Sequence, residues 1–377
     1  MILPTTQSAL PWTRRLCSAV ATALVLAAPL ACYHRKGENA GSASPQESRS
    51  GQSALSKWQD LELSHATSDI QSSCRPVHAQ ANAGVDFRGS ILLFHGFSAC
   101  PQQYEELIPI LTGAGFDVWV PLYPGHGVVP KSMKPRVDDT FYVPNSSVLW
   151  EAFVDDMNEL AKGFRGGPRL LVGLSHGANV ALRAMQKSPD LYDRAVLIAP
   201  KLKTEASLFT GLFSNQLKLF NIDDFIADRL SGWKKCEEDS LRKPVGRGGF
   251  CYMENRKAIA MLEFGKTVVE GSTVRGGGRV PKAAVQAILS TFDDGVANQA
   301  AVKVFENMRG SGQDLTVCTM PKGIPHSMFS KYDFPYEKPW VDELFAGVLA
   351  FARDQKPYAG SKPEGGLCEL ANSPVLP

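Results

Sequence analysis

Short, uninterrupted apolar runs alternate along this chain with longer segments whose apolar residues recur every three or four positions. Runs of strand length occupy 90–94 (SILLF), 116–120 (FDVWV), 169–173 (RLLVG), 194–199 (RAVLIA), 284–289 (AVQAIL) and 314–319 (DLTVCT), most of them bounded by turn residues. Between or after them, 103–112, 148–162, 177–187, 298–308 and 340–353 read as helices. Continuous apolar strands separated by helices are the signature of a mostly parallel sheet covered on both faces. The predicted fold class is α/β.

One interval breaks the alternation. Residues 201–281 hold an amphipathic piece (SLFTGLFSNQLKLF), a charged stretch with Cys236 and Cys251, and a glycine-rich turn at 276–278. A structureless loop of that length is improbable in a compact domain, so the interval is expected to be an inserted cap or lid over the strand ends. The expected division is a signal peptide at 1–31, a flexible Gly/Ser/Ala-rich tether at 32–57, a core at 58–200, the lid at 201–281, the second core part at 282–354 and a Pro/Gly-rich tail at 355–377. No internal repeat occurs.

The first segment carries Arg14 and Arg15 ahead of an uncharged apolar run at 16–31, shorter than the ~20 residues of a membrane span and ordered like a secretory signal. Leu30-Ala31-Cys32 resembles the lipobox of bacterial lipoproteins, in which the Cys becomes the lipidated first residue. Pro29 stands where that motif favours an aliphatic residue, which leaves simple cleavage or an uncleaved anchor open. The expectation is an exported protein of the periplasm or cell envelope, with membrane attachment through Cys32.

Setting aside Cys17 and Cys32, an even set remains: Cys74, Cys100, Cys236, Cys251, Cys318 and Cys368. In an oxidising compartment this suggests disulfides, and pairing nearest neighbours gives Cys74–Cys100, Cys236–Cys251 and Cys318–Cys368. Buried free thiols are the alternative. No CxxC or HxxxH spacing points to a metal.

Composition narrows the classes. The 33 Gly and 25 Pro amount to about 15% of the chain, below the ~25–30% of low-complexity sequences, and 21% charged residues is ordinary for a folded protein. A net charge of +2, balanced once Arg14 and Arg15 leave with a signal peptide, gives no basic footprint for nucleic acid.

Gly173-Leu174-Ser175-His176-Gly177 matches G-x-S-x-G, a weak pattern alone. Here it follows a buried-type strand and precedes a helix, the setting of a nucleophile elbow. A sharp turn leaves no room for side chains two positions either side of the Ser. It lifts the hydroxyl clear and sets it at a helix N-terminus, whose amides favour developing negative charge.

With these residues on the page, the body from about Cys74 to Arg353 resembles an α/β-hydrolase, most of all the bacterial carboxylesterase and monoacylglycerol-lipase-like branch. His95-Gly96-Phe97 resembles its oxyanion loop, and Tyr123-Pro124-Gly125-His126-Gly127 its Pro-Gly-x-Gly turn. The resemblance implies a triad in the order Ser, acid, His. Ser175 is the nucleophile. Asp294, ahead of Gly295 and Val296, is the expected acid, with Asp293 as the alternative, and His326, before the last helix, is the expected base. The backbone amides of Phe97 and His176 are the implied oxyanion donors. No cofactor and no metal are implied, and the substrate class is a small-molecule or lipid ester. Family likeness fixes the apparatus better than the substrate.

Other readings stay open. The S33-type aminopeptidases share this scaffold, and an acidic site in the lid, for which Glu205, Asp223 and Asp224 are candidates, would suit a substrate amine. A hydrolase-like binding protein is a third reading. His95 is expected to be structural, His126 to order a turn, and His176 to face solvent or substrate. Asp138-Asp139 and Asp223-Asp224 read as solvated acidic pairs. Leu208, Phe209, Leu212, Phe213, Leu217 and Phe220 either line an acyl pocket or hold the lid to the body.

Overall fold

Among the described residues ten strands form, in chain order: β1 (Val77–Ala79), β2 (Gly89–Phe94), β3 (Phe116–Val120), β4 (Arg169–Leu174), β5 (Arg194–Ile198), β6 (Leu230–Gly232), β7 (Tyr252–Glu254), β8 (Ala284–Ser290), β9 (Leu315–Met320) and β10 (Glu369–Leu370). The computed structural model describes residues 54–66, 70–129, 143–202, 230–232, 249–250, 252–272, 280–290, 293, 296, 298–320, 324–326, 328, 340–355 and 369–370. Eight strands make one sheet in the order β1-β3-β2-β4-β5-β8-β9-β10. The six central strands are parallel, and β1 and β10 run antiparallel at the edges. The register sets Ile91 beside Leu170, Leu171 beside Ala195 and Ile198 beside Ile288. β6 and β7 pair separately.

The continuous apolar runs are explained by two cores, one on each face. Successive strand residues point to opposite sides. Leu92, Phe94, Leu171 and Leu197 enter one core with α3 (Ser147–Lys162), α4 (His176–Lys187), α5 (Asn255–Gly271) and α6 (Asn298–Gly310). Ile91, Leu93, Val172 and Val196 enter the other with α2 (Leu107–Gly113) and α7 (Trp340–Asp354). Each fully buried Leu or Ile contributes about 1.5–3 kcal/mol. The sheet is therefore anchored from both sides, and its strand ends make a rigid platform for the intervening loops.

One expected boundary moves. A helix, α1 (Ala54–Ala66), begins inside the segment read as tether. Its Trp58 is buried edge-on against Trp119, and the Ala54 N–H donates to Gly163 O at 3.3 Å. Trp58 and Ala54, with Leu61 packed against the same core, dock a segment whose mean composition is polar. Within the interval expected to be a lid, α5 contributes Met261, Phe264 and Val268 to the core beside α3 and α4. The amphipathic piece at 207–220, Glu205, Asp138-Asp139 and Asp223-Asp224 lie outside the described residues, as do the leader, Cys32 and most of the tail.

The sulfurs of Cys74 and Cys100 are joined, with their Cα atoms 5.1 Å apart. Cys318 is buried in the core. Cys236, Cys251 and Cys368 lie outside the described residues.

Candidate active site

β4 ends at Leu174 and α4 begins at His176, so Ser175 alone makes the turn between them, at φ 60° and ψ −120°. That conformation costs a non-glycine residue about 1–3 kcal/mol. The surroundings hold it there. The Ser175 N–H donates to Ile198 O at 2.8 Å, and Ser175 O accepts the N–H groups of Ala178 and Lys201. A Cβ on Gly173 would stand 2.2 Å from Gly177 O, and one on Gly177 would stand 1.9 Å from Phe94 O. Only glycine fits at either position. The flanking glycines of the motif are thus explained by backbone crowding.

The Ser175 Oγ–H donates to Nε2 of His326 at 2.8 Å, and the Nδ1–H of His326 donates to Oδ2 of Asp293 at 2.8 Å. His326 is carried by the loop after β9, which is tied down where the Ser290 hydroxyl, at the end of β8, donates to Ile324 O. Asp293 has a fully buried side chain, and its Oδ1 accepts the Val296 N–H at 2.9 Å.

The acid on the imidazole is therefore Asp293 and not the expected Asp294, which lies outside the described residues. The physical reason is the turn itself. The carboxylate of Asp293 closes the turn onto Val296, so the acid stands three residues before the valine, where the motif reading had placed it two before.

The loop after β2 is held from every side. Gly96 N–H donates to Gln103 Oε1 at 2.8 Å, the Tyr123 hydroxyl donates to His95 O at 2.8 Å, and the Nε2–H of His126 donates to Phe97 O at 2.7 Å. His95 donates from Nδ1 to Gly96 O. These bonds fix the peptide planes around Phe97. The His176 amide is in the first turn of α4, where backbone N–H groups have no helical acceptor.

His95 and His126 act as structural groups, in keeping with the sequence reading. The expectation that His176 faces solvent is corrected: its ring is fully buried against Trp150, with ring centroids 4.2 Å apart, and near Phe97, Tyr123 and Phe264. Neither ring nitrogen has a hydrogen-bond partner among the described residues. Burial, with His126, His95 and Lys201 nearby, pushes its pKa well below the ordinary 6.5, so the ring is neutral. Burial likewise pushes His95 well below that value.

The sequence reading missed Gln103, Ser290 and Lys201. Lys201 carried a signal, a charge directly after the apolar strand end Ala199-Pro200; Gln103 and Ser290 carried none that sequence alone could weigh.

The sequence profile of the family described as serine aminopeptidase, S33, matches residues 86–233. No curated protein sequence matches the chain. Among solved structures, a monoacylglycerol lipase from Paleococcus ferrophilus superposes with a TM-score of 0.51 at 17% identity, covering 74% of this chain and 99% of that one. A soluble variant of the monoglyceride lipase of Saccharomyces cerevisiae, in complex with a substrate analogue, gives 0.52 at 15% identity, covering 74% and 91%. A thermostable carboxyl esterase from Bacillus coagulans, in complex with glycerol, gives 0.52 at 14%, covering 74% and 92%.

The fold is that of an α/β-hydrolase. In these hydrolase terms Ser175 stands at the elbow after the central strand β4, and Asp293 and His326 stand on loops after β8 and β9. All three meet at the C-terminal ends of the parallel strands, where ligands of open α/β sheets gather.

Proposed function

We propose that this α/β-hydrolase cleaves carboxylic esters, of acyl or lipid-like substrates, through an acyl-enzyme on Ser175. The observation that carries the reading is the unbroken hydrogen-bond chain from the Ser175 hydroxyl through His326 to Asp293.

A serine hydroxyl is a weak nucleophile at neutral pH. In the proposed first step His326 Nε2 takes the Ser175 proton while Oγ attacks the ester carbonyl. The carbonyl oxygen becomes an oxyanion, received by the amides of Phe97 and His176. Each such donor is worth roughly 3 kcal/mol. The imidazolium, stabilised by the Asp293 carboxylate, then returns its proton to the departing alcohol as the C–O bond breaks. Water, activated by the same imidazole, cleaves the acyl-enzyme and restores the serine. No step calls for a metal or cofactor.

The wider reading is of an exported enzyme, reaching the membrane through a lipidated Cys32. Its support is the charged-then-apolar leader and the joined Cys74 and Cys100, which suit an oxidising compartment. A lipid ester would be accessible there.

The test is a panel of p-nitrophenyl esters graded by acyl length beside aminoacyl anilides, with fluorophosphonate labelling of the native protein. Ester turnover and label that both vanish in Ser175→Ala are expected. Faster turnover of anilides would make the enzyme a peptidase, and a chain that neither labels nor turns over any ester would be a binding protein.

A further inference from the structure

The loop that carries Phe97 is also held by a pair of residues from far along the chain. Gly96 O accepts the Ala99 N–H at 3.0 Å, so residues 96–99 form a tight turn that does not use the Phe97 N–H. The turn lies against the nucleophile: a Cβ built on Gly96 would stand 3.8 Å from Ser175 Cβ. Just ahead of β7, the Phe250 N–H donates to Ser98 O at 3.1 Å. The Phe250 ring packs edge-on to that of Phe97, with centroids 5.6 Å apart, and lies 4.9 Å from the ring of His126, whose Nε2–H holds Phe97 O. Phe250 thus meets both central residues of the turn.

Gly249 makes the approach possible. Its φ of 113° is left-handed backbone, and a Cβ there would stand 2.2 Å from Ser98 O and 3.1 Å from Ala99 Cα. Its carbonyl is tied down by Gln71, whose Nε2 donates to Gly249 O and to Val128 O, each at 3.1 Å. The Gln71 N–H donates to Gly127 O at 2.7 Å, and Gln71 O accepts the N–H of Cys74, itself joined to Cys100, at 2.8 Å. Gln71 therefore binds the 249–250 pair to segments that already brace the loop after β2.

The bonds run in series. The peptide that offers Ser98 O to Phe250 also presents the Ala99 N–H to Gly96 O, and the peptide of Gly96 O, which accepts His95 Nδ1 as well, presents the Phe97 N–H. A peptide is planar, so fixing its oxygen fixes the direction of its N–H. Each bond in such a chain also polarises the next. We propose that Gly249 and Phe250 are positioning residues for the oxyanion hole: latched by Gln71, they set the direction of the Phe97 N–H through two consecutively bonded peptide planes. This rests on the ester-cleavage reading given above, in which that amide receives the oxyanion. The pair acts through the turn and need touch no reacting atom. Misplacement by about 1 Å at such a donor costs on the order of 10² in rate.

The experiment measures kcat, KM and the pH profile for p-nitrophenyl butyrate, together with inhibition by an alkyl trifluoromethyl ketone, whose adduct with the serine carries a negative oxygen where the oxyanion forms. The full-length protein is compared with its Gly249→Ala, Gln71→Leu, Phe250→Ala and Phe250→Leu variants, each checked by circular dichroism and melting temperature. Gly249→Ala, which pushes the pair off Ser98, is expected to lower kcat by about tenfold or more with KM changed less than about threefold, and to weaken the ketone by the same factor as kcat/KM. Gln71→Leu, which keeps the bulk and loses both donated bonds, and Phe250→Ala are expected to show the same pattern at about threefold to tenfold. Phe250→Leu, which restores an apolar side chain, is expected to stay within about threefold of the parent. The pH dependence of kcat/KM is expected to be unchanged in every variant, because the bonds of His326 are untouched.

A Gly249→Ala protein that melts lower but keeps its kcat would make the contact structural only and overturn the proposal. A fall in kcat without a matching loss of ketone affinity would overturn it too, as would a shifted pH profile, which places the damage at the triad. Should Gly249→Ala fail to fold, Gln71→Leu and Phe250→Ala decide. A parent that turns over no ester and takes no fluorophosphonate would sink the ester-cleavage reading and this proposal with it. An active parent whose variants keep their kcat would sink this proposal only.

Discussion

Oδ2 of Asp293 accepts the Nδ1–H of His326 at 2.8 Å while its Oδ1 is occupied by the amide of Val296, so both carboxylate oxygens are committed inside the protein. The adjacent Asp293 and Asp294 can therefore be told apart by experiment. Asp293→Asn is expected to lower kcat by about 10⁴, through loss of the correct tautomer of the base. Asp294→Asn is expected to stay within about threefold of the parent. Steady-state ester hydrolysis by the two variants checks this, and the reverse pattern would restore the sequence-based choice.

The crowding around the elbow gives a stability prediction. Gly177→Ala is expected to cost about 3 kcal/mol or to prevent folding, because its Cβ would stand 1.9 Å from Phe94 O. Gly310→Ala, at the end of α6 with nothing within 4 Å of its Cβ, is expected to stabilise by about 0.4–1 kcal/mol. Urea unfolding of both variants makes the comparison.

How much of this was legible in the sequence depended on how local the cause was. The parallel strands were readable because both faces of β2, β4 and β5 are buried beyond their first residues, which forces an unbroken apolar run there. Ser175 was readable because the glycines that crowding demands stand two residues away. The acid was misplaced by one, since the hydrogen bond from Val296 that sets its side chain depends on the turn's shape. α1 was missed because its docking rests chiefly on Trp58 meeting Trp119, a partner distant in sequence. Lys201 was passed over although it carried a charge after an apolar run, because its backbone bond to Ser175 O exists only once β4 and β5 lie side by side.

The joined Cys74 and Cys100 bear on activity as well as stability. Cys100 precedes the short helix Pro101–Tyr104, whose Gln103 receives the Gly96 amide, and Gly127 is packed against Cys74. Closing a loop of sequence separation 26 is worth about 3 kcal/mol. Cys74→Ser with Cys100→Ser is expected to lose that stability and to lower kcat more than it changes KM. Urea titrations and ester kinetics, with and without reductant, are the measurements.

Acid sensitivity follows from two buried imidazoles. Desolvation depresses His95 and His176 well below 6.5, so the unfolded chain binds protons that the folded one refuses. Stability is then full above about pH 6.5 and declines as the pH drops beneath it. Melting temperatures between pH 7.5 and 5 are expected to fall, and to fall less steeply for His176→Phe. A flat profile in the parent would contradict the burial of neutral rings.

The amide of Ser175 is bonded to β5, and its carbonyl is shared among Ala178, Asn179 and Lys201. Amide protons in such a place exchange with deuterium only when the sheet itself opens, so the attacking residue should rank with the most slowly labelled positions of the chain. Nicking or fraying of peripheral segments would accordingly leave the nucleophile poised, and inactivation on heating should coincide with loss of the whole sheet instead of preceding it.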